Sequence, residues 1–104
     1  MRSEPGIEVE VRLLPPLSNT AGREKVKLTL GEGATVEGVI EALLERFDDP
    51  EFRLHLYDTD GRLIPAWRAF INGRPIKRLV SPEGRTTPVS DGDEVTFLLS
   101  LAGG

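Results

Sequence analysis

Apolar and charged residues alternate along Ile7-Glu8-Val9-Glu10-Val11-Arg12-Leu13-Leu14, a period of two that predicts a strand with one buried face. The pattern breaks at Pro15-Pro16. Residues Ser18 to Glu24, with Asn19 and Gly22, read as a loop, after which Lys25-Val26-Lys27-Leu28-Thr29-Leu30 alternates again, so the two runs predict a hairpin. Beyond Gly31-Glu32-Gly33 the period changes: Val36, Val39, Ile40, Leu43, Leu44 and Phe47 fall on one stripe of a helix. Thr35 is its predicted N-cap, and Glu37 sits in the first turn, where the helix dipole favours an anion. Gly38 weakens this helix by roughly 1 kcal/mol relative to alanine, and Asp48-Asp49-Pro50 ends it.

Further on, Phe52, Leu54 and Leu56 alternate as in a short strand, and Asp58-Thr59-Asp60-Gly61 has the composition of a turn. Trp67 to Ile71 predicts another strand, closed by Asn72-Gly73, the pair best suited to a tight hairpin. A loop with Pro82, Gly84 and Pro88 follows. Asp91-Gly92-Asp93 then turns the chain into a last strand, Glu94-Val95-Thr96-Phe97-Leu98-Leu99. This order predicts an α+β domain, a mixed sheet packed on one main helix, over residues 1–99, with a pliable tail over 100–104.

Composition narrows the function. A chain of 104 residues builds one core. Its formal net charge of -4, without a basic cluster, argues against nucleic acid and favours a basic partner surface. Cysteine is absent, which excludes disulfides, thiolate metal sites and a cysteine nucleophile. The polar start, Met1 to Gly6, and the lack of a long apolar run point to a cytoplasmic protein without membrane attachment.

Catalytic and metal chemistry fail on inspection. Aligning Gly61 with the glycine of a calcium loop puts Leu56 at the first ligand position, and Asp91-Gly92-Asp93-Glu94 reads as a turn, so no metal site is expected. His55 is the only histidine and has no recognisable nucleophile partner. Gly31-Glu32-Gly33 lacks the lysine and spacing of a phosphate loop, and the aromatic residues are too scattered for base stacking. No catalytic machinery remains, and no bound cofactor is expected.

The apolar last strand runs into Leu101-Ala102-Gly103-Gly104. Two residues without Cβ leave the terminal carboxylate on an unobstructed thread, and the five residues from Ser100 reach at most about 16–18 Å when extended. Glycine is also common in inert termini, so the tail alone decides little.

Together, Thr35-Val36-Glu37, Phe70-Ile71-Asn72-Gly73 and Asp91-Gly92-Asp93-Glu94-Val95 followed by Ala102-Gly103-Gly104 resemble the MoaD and ThiS group of ubiquitin-like β-grasp sulfur carriers, the longer MoaD-like and CysO-like type in particular. The resemblance runs from Val9 to Gly104 and is weakest over residues 50–68. It implies that a ubiquitin-activating-like enzyme, using ATP and magnesium, adenylates Gly104, and that sulfur then replaces AMP to leave a thiocarboxylate for molybdopterin-type or cysteine biosynthesis. Leu101, Ala102 and Gly103 would be read by the enzyme's channel. Many tails of this group carry proline, whereas this chain has Leu99-Ser100-Leu101.

Strand parity adds a docking surface. Leu14 shares its side with Glu8, Glu10 and Arg12, Leu98 shares its side with Thr96, and Phe70 is outward if Ala69 and Ile71 are inward. Because the β-grasp arrangement places the first and last strands together, these three would form one apolar patch for a partner, either the activating enzyme or a larger sulfur-accepting synthase subunit. Read without that arrangement, Leu14 caps the core at a strand end and Leu98 is a solitary surface leucine. Two alternatives remain open. In one, Gly104 forms an isopeptide bond with a target lysine, as in ubiquitin-like modifiers; in the other, the domain is a plain interaction module with an inert tail.

Overall fold

The computed structural model describes residues 6–100. The first alternation forms β1 (Gly6–Leu13), whose Ile7, Val9, Val11 and Leu13 are buried while Glu8 and Arg12 face out. It pairs antiparallel with β2 (Lys25–Gly31), setting Val9 against Leu28 and Val11 against Val26. The hairpin is therefore as the pattern predicts, but its connection is not a plain loop: Leu17–Ala21 forms a short helix, α1. Leu17 is fully buried, and Gly22 ends the helix in the left-handed region (φ 77°) with its N–H donating to the Ser18 carbonyl. A single large apolar residue drawn into the core is enough to curl this turn.

The main helix, α2 (Val36–Arg46), starts where the sequence places it, with Thr35 Oγ1 accepting from the Gly38 N–H. Val36, Val39, Ile40 and Leu43 are buried, and Leu44 and Phe47 pack partly against the same core. It ends at Arg46, capped by Phe47. The Asp49 carboxylate opens the next element instead of closing this one: it accepts from the Glu51 N–H at 2.9 Å and caps α3 (Pro50–Leu56).

That helix corrects the expectation of a strand through Phe52, Leu54 and Leu56. Phe52 and Leu56, four apart, share a helical face and are fully buried, whereas Leu54 points away and is 62% exposed. Three apolar residues at i, i+2 and i+4 satisfy both periods at their outer positions. Asp49 as cap and Pro50 at the first helical position, where its missing N–H costs nothing, decide the matter.

The strand at Trp67–Ile71, β3, holds as expected and turns at Asn72-Gly73 into β4 (Arg74–Pro75). Both turn residues have positive φ (53° and 84°), as a two-residue hairpin turn requires. The indole N–H of fully buried Trp67 donates to the His55 carbonyl at 2.8 Å, tying β3 to the end of α3. The expected loop around Pro82 contains one helical turn, α4 (Pro82–Arg85), capped by Ser81. Leu79 and Val89 on either side of it enter the core.

The last strand, β5 (Glu94–Leu99), lies between β1 and β3, parallel to the first and antiparallel to the second, giving the order β2-β1-β5-β3-β4. Buried side chains of the sheet and of α2, with Leu17, Phe52 and Leu56, form one cluster on one face of the sheet. No polar or charged residue among those described is buried.

Two glycines of helices separate cleanly in a stability measurement. A Cβ at Gly84 would stand 2.6 Å from the Lys77 carbonyl oxygen and nearer still to that of Arg78, whereas at Gly38 it would meet only the Ala34 methyl at 3.9 Å. In urea denaturation Gly84→Ala should destabilise by about 2 kcal/mol or more through overpacking. Gly38→Ala should stabilise by up to about 1 kcal/mol through helix propensity.

Candidate functional site: the open sheet face and the tail exit

The face of the sheet away from α2 carries the outward residues of every long strand, and strand register fixes who stands beside whom. On β5, Thr96 lies between Arg12 of β1 and Phe70 of β3. Two residues further along, Leu98 lies beside Arg68. Leu98 is 37% exposed and Phe70 is half-buried, so the two apolar side chains are diagonal neighbours across the antiparallel pair, about 7–8 Å apart. Leu14 lies one residue past the end of β1 and is half-buried, its carbonyl accepting from the N–H groups of Leu17 and Ser18 at the start of α1.

The chain leaves the sheet at the same end of this face. Leu99 still pairs with Trp67, and the Ser100 N–H donates to the Ala66 carbonyl at 2.9 Å. Leu101, Ala102, Gly103 and Gly104, the residues to which the sequence assigns the chemistry, lie outside the described residues.

At the opposite end a network of short polar contacts sets the position of β5. Asp91 accepts from the Glu8 N–H at 2.8 Å through its carboxylate, and the Gly92 N–H donates to the Glu8 carbonyl at 2.8 Å. Asp93 accepts from the Ser90 N–H and from the Asn72 side-chain amide, while Asn72 Oδ1 accepts from the Glu94 N–H at 2.9 Å. Both aspartates thus serve backbone and amide donors, which explains why Asp91-Gly92-Asp93 behaves as a turn. Sequence pattern marks Asn72 only as fit for a hairpin. Its side chain in fact reaches a segment 22 residues away.

His55, which the sequence pattern left without a nucleophile partner, meets a hydroxyl in the structure. His55 Nε2 lies 2.9 Å from Thr20 Oγ1 and 3.9 Å from Glu51, a contact that joins α1 to α3. Burial pushes the Tyr57 hydroxyl above its ordinary range, with nearby Arg53 opposing, so it stays protonated at neutral pH. Among the described residues no three acidic or histidine side chains gather to hold a metal ion. A groove of about 420 Å³ is lined by Asp58, Arg62, Leu63, Pro65, Val80 and Arg85. Of its two arginines, Arg85 donates to the carbonyls of Leu79 and Val80, and Asp58 accepts from the N–H groups of Asp60 and Arg62, so these side chains hold the surrounding loops. No helix among the described residues is long and apolar enough to cross a membrane.

A five-stranded mixed sheet with its first and last strands side by side, one principal helix across it and a C-terminal strand running out past the open face defines the ubiquitin-like β-grasp class. The ThiS family model matches residues 11–104, and the chain belongs to that family of small ubiquitin-like carriers and modifiers. Small archaeal modifier protein 3 of Haloferax volcanii is 29% identical over 98 residues, spanning 94% of this chain and all of that protein. The crystal structure of small archaeal modifier protein 1 from the same organism superposes with a TM-score of 0.77 at 22% identity, over 92% of this chain and 100% of that one, a likeness of fold. CysO of Amycolatopsis orientalis, solved in complex with BexX, gives a TM-score of 0.64 at 25% identity, over 92% of this chain and 99% of that one.

The polar network at the start of β5 makes a direct prediction. Asn72→Ala leaves the Asp93 carboxylate and the Glu94 N–H without their partner and places a Cβ-bearing residue less suited to positive φ at the turn. Thermal or urea unfolding should show a loss of about 0.5–1.5 kcal/mol, the usual net worth of a protein hydrogen bond.

Proposed function

We propose that this protein is a sulfur carrier whose C-terminal glycine, Gly104, is activated as an adenylate and converted to a thiocarboxylate. The observation that carries this reading is the ThiS family match, which covers residues 11–104 and so takes in Gly103 and Gly104. A free α-carboxyl has a pKa of about 3.5, so at neutral pH it is an anion that nucleophiles do not attack. An activating enzyme, with ATP and magnesium, joins the carboxylate oxygen to the α-phosphorus and expels pyrophosphate. Hydrosulfide then adds to the acyl carbon, AMP leaves with the bonding electrons, and the C–S bond remains. The domain is a co-substrate: it binds no cofactor and is inert without its partner.

The geometry supports this division of labour. Ser100 is the last residue fixed to the sheet by a described hydrogen bond, and four residues extend at most about 14 Å beyond it. Leu101, Ala102 and Gly103 are the stretch an enclosing channel reads, while Leu98 and Phe70, with Leu14 at the margin, hold the domain outside it. The partners are the adenylating enzyme and a larger sulfur-accepting synthase subunit of molybdopterin-type or cysteine biosynthesis, in the cytoplasm where ATP is available. CysO was solved bound to a second protein, which is a precedent for such docking.

Protein modification is the second reading, favoured by the similarity to small archaeal modifier protein 3. It shares the adenylate and diverges afterwards, when a target lysine amine replaces AMP. Only three lysines, Lys25, Lys27 and Lys77, are present in this chain for self-conjugation.

Gly103→Val adds a β-branched side chain to the thread and should slow adenylation, read by pyrophosphate exchange, by about tenfold or more with unchanged thermal stability. Equal rates for the two proteins would show that the enzyme's channel does not read Gly103, and exchange by neither would remove Gly104 from the chemistry. Intact mass spectrometry of protein purified from its native host separates the two readings: a gain equal to the difference between sulfur and oxygen marks a carrier, and adducts on lysines of other proteins mark a modifier.

A further inference from the structure

Charge on the open face is sorted along the strands. Near the Asp91–Asp93 turn the outward residues are Glu8, Glu10 and Glu94, with Glu10 and Glu94 directly beside each other across the parallel pair and only Lys27 opposite Glu10. One row nearer the tail exit the sign reverses. Arg12 stands between Lys25 on β2 and Thr96 on β5, and Phe70 follows on β3. The next row holds Leu98 and Arg68. These two strand rows contain no carboxylate, although the whole chain carries a net charge of -4.

The cations differ in their freedom. The Arg68 guanidinium donates to the carbonyls of Pro65 and Trp67, so it braces the sheet margin. Arg12 and Lys25 are exposed, and their side chains make no hydrogen bond or ion pair with the described residues. Two uncommitted cations therefore flank the apolar pair Phe70 and Leu98 on the side toward β2.

We infer that the tail-proximal half of the open face docks an apolar surface bearing carboxylates on the activating enzyme, and that Arg12 and Lys25 are the groups that pair with them. Same-face rows lie about 7 Å apart and the Debye length is about 10 Å at 0.1 M salt, so a partner at contact range meets the local cations rather than the distant net charge. This reverses the expectation, drawn from net charge, of a basic partner surface. The acidic row containing Glu10 and Glu94 repels the same partner and so fixes the direction from which it approaches. Charges at such a rim act mainly through encounter rate and salt dependence. The inference rests on the adenylation of Gly104 and holds for the carrier and the modifier alike, since both begin with that step.

The test uses the full chain with the adenylating enzyme of its own host, in pyrophosphate exchange at several sodium chloride concentrations. For the wild type, the carrier concentration giving half-maximal exchange should rise with salt. Arg12→Glu and Lys25→Glu, made separately so that neither creates a facing carboxylate pair, should each raise that concentration by about tenfold at low salt, leave the maximal rate unchanged and flatten the salt dependence. Glu10→Lys should lower it. Arg12→Glu and Lys25→Glu variants that leave half-saturation unchanged, or lower it, overturn the inference while the adenylation reading stands. A wild-type chain that supports no exchange at all overturns both. Thermal unfolding of each variant, expected to match the wild type, excludes loss of the fold as the cause.

Discussion

The layout of the open sheet face depends on the parallel pairing of the first and last strands. β1 and β5 are far apart in sequence yet adjacent at the centre of the sheet, with Val11 beside Val95 and Leu13 beside Phe97. Closing so long a loop costs chain entropy, which the fold offsets by burying the whole inward row of both strands. A parallel pair also demands a crossover, and the intervening chain supplies it as α2 and the short helices that complete the core. Because the last strand is central, the chain that follows it emerges from the middle of the sheet.

Register then becomes the controlling variable. A slip of one residue would exchange inward and outward sets on β5, sending Leu98 into the core and Phe97 to solvent. The aspartates of the 91–93 turn and the side chain of Asn72 oppose such a slip by gripping backbone groups of β1 and β5 at the end remote from the tail. Specificity of position is thus secured by polar contacts at one end of the sheet and expressed at the other, where Leu98, Arg68 and Ser100 stand. The same register sorts the charges of the open face.

The core of the described residues is wholly apolar, with no buried charge. Shifted titrations and enclosed polar clusters are the usual physical marks of catalysis, and burial of Tyr57 is a packing effect at a helix end. What the domain contributes is a rigid body with a defined face and a defined exit point. That is consistent with the family of small ubiquitin-like carriers to which it belongs.

Much of this was legible in the chain. Period-two alternation located β1, β2, β3 and β5, because each keeps one face in the core and one in water; the helical stripe from Val36 and its Thr35 cap located α2. Local pattern failed where it was short: Phe52, Leu54 and Leu56 fit either period, and Leu17 carried no sign that one buried side chain would curl its loop. The apolar outward residues Phe70 and Leu98 followed from parity alone. Their juxtaposition was expected only through the β-grasp resemblance, and the reach of Asn72 to Glu94 and the separation of Arg12 and Lys25 from the acidic row were not expected at all, since these are relations between strands and a single strand's pattern carries no register. The sequence by itself determined which side of each element is apolar; tertiary pairing decided which charges and which leucine share a surface, because that choice is made by long-range hydrogen bonding and core packing together.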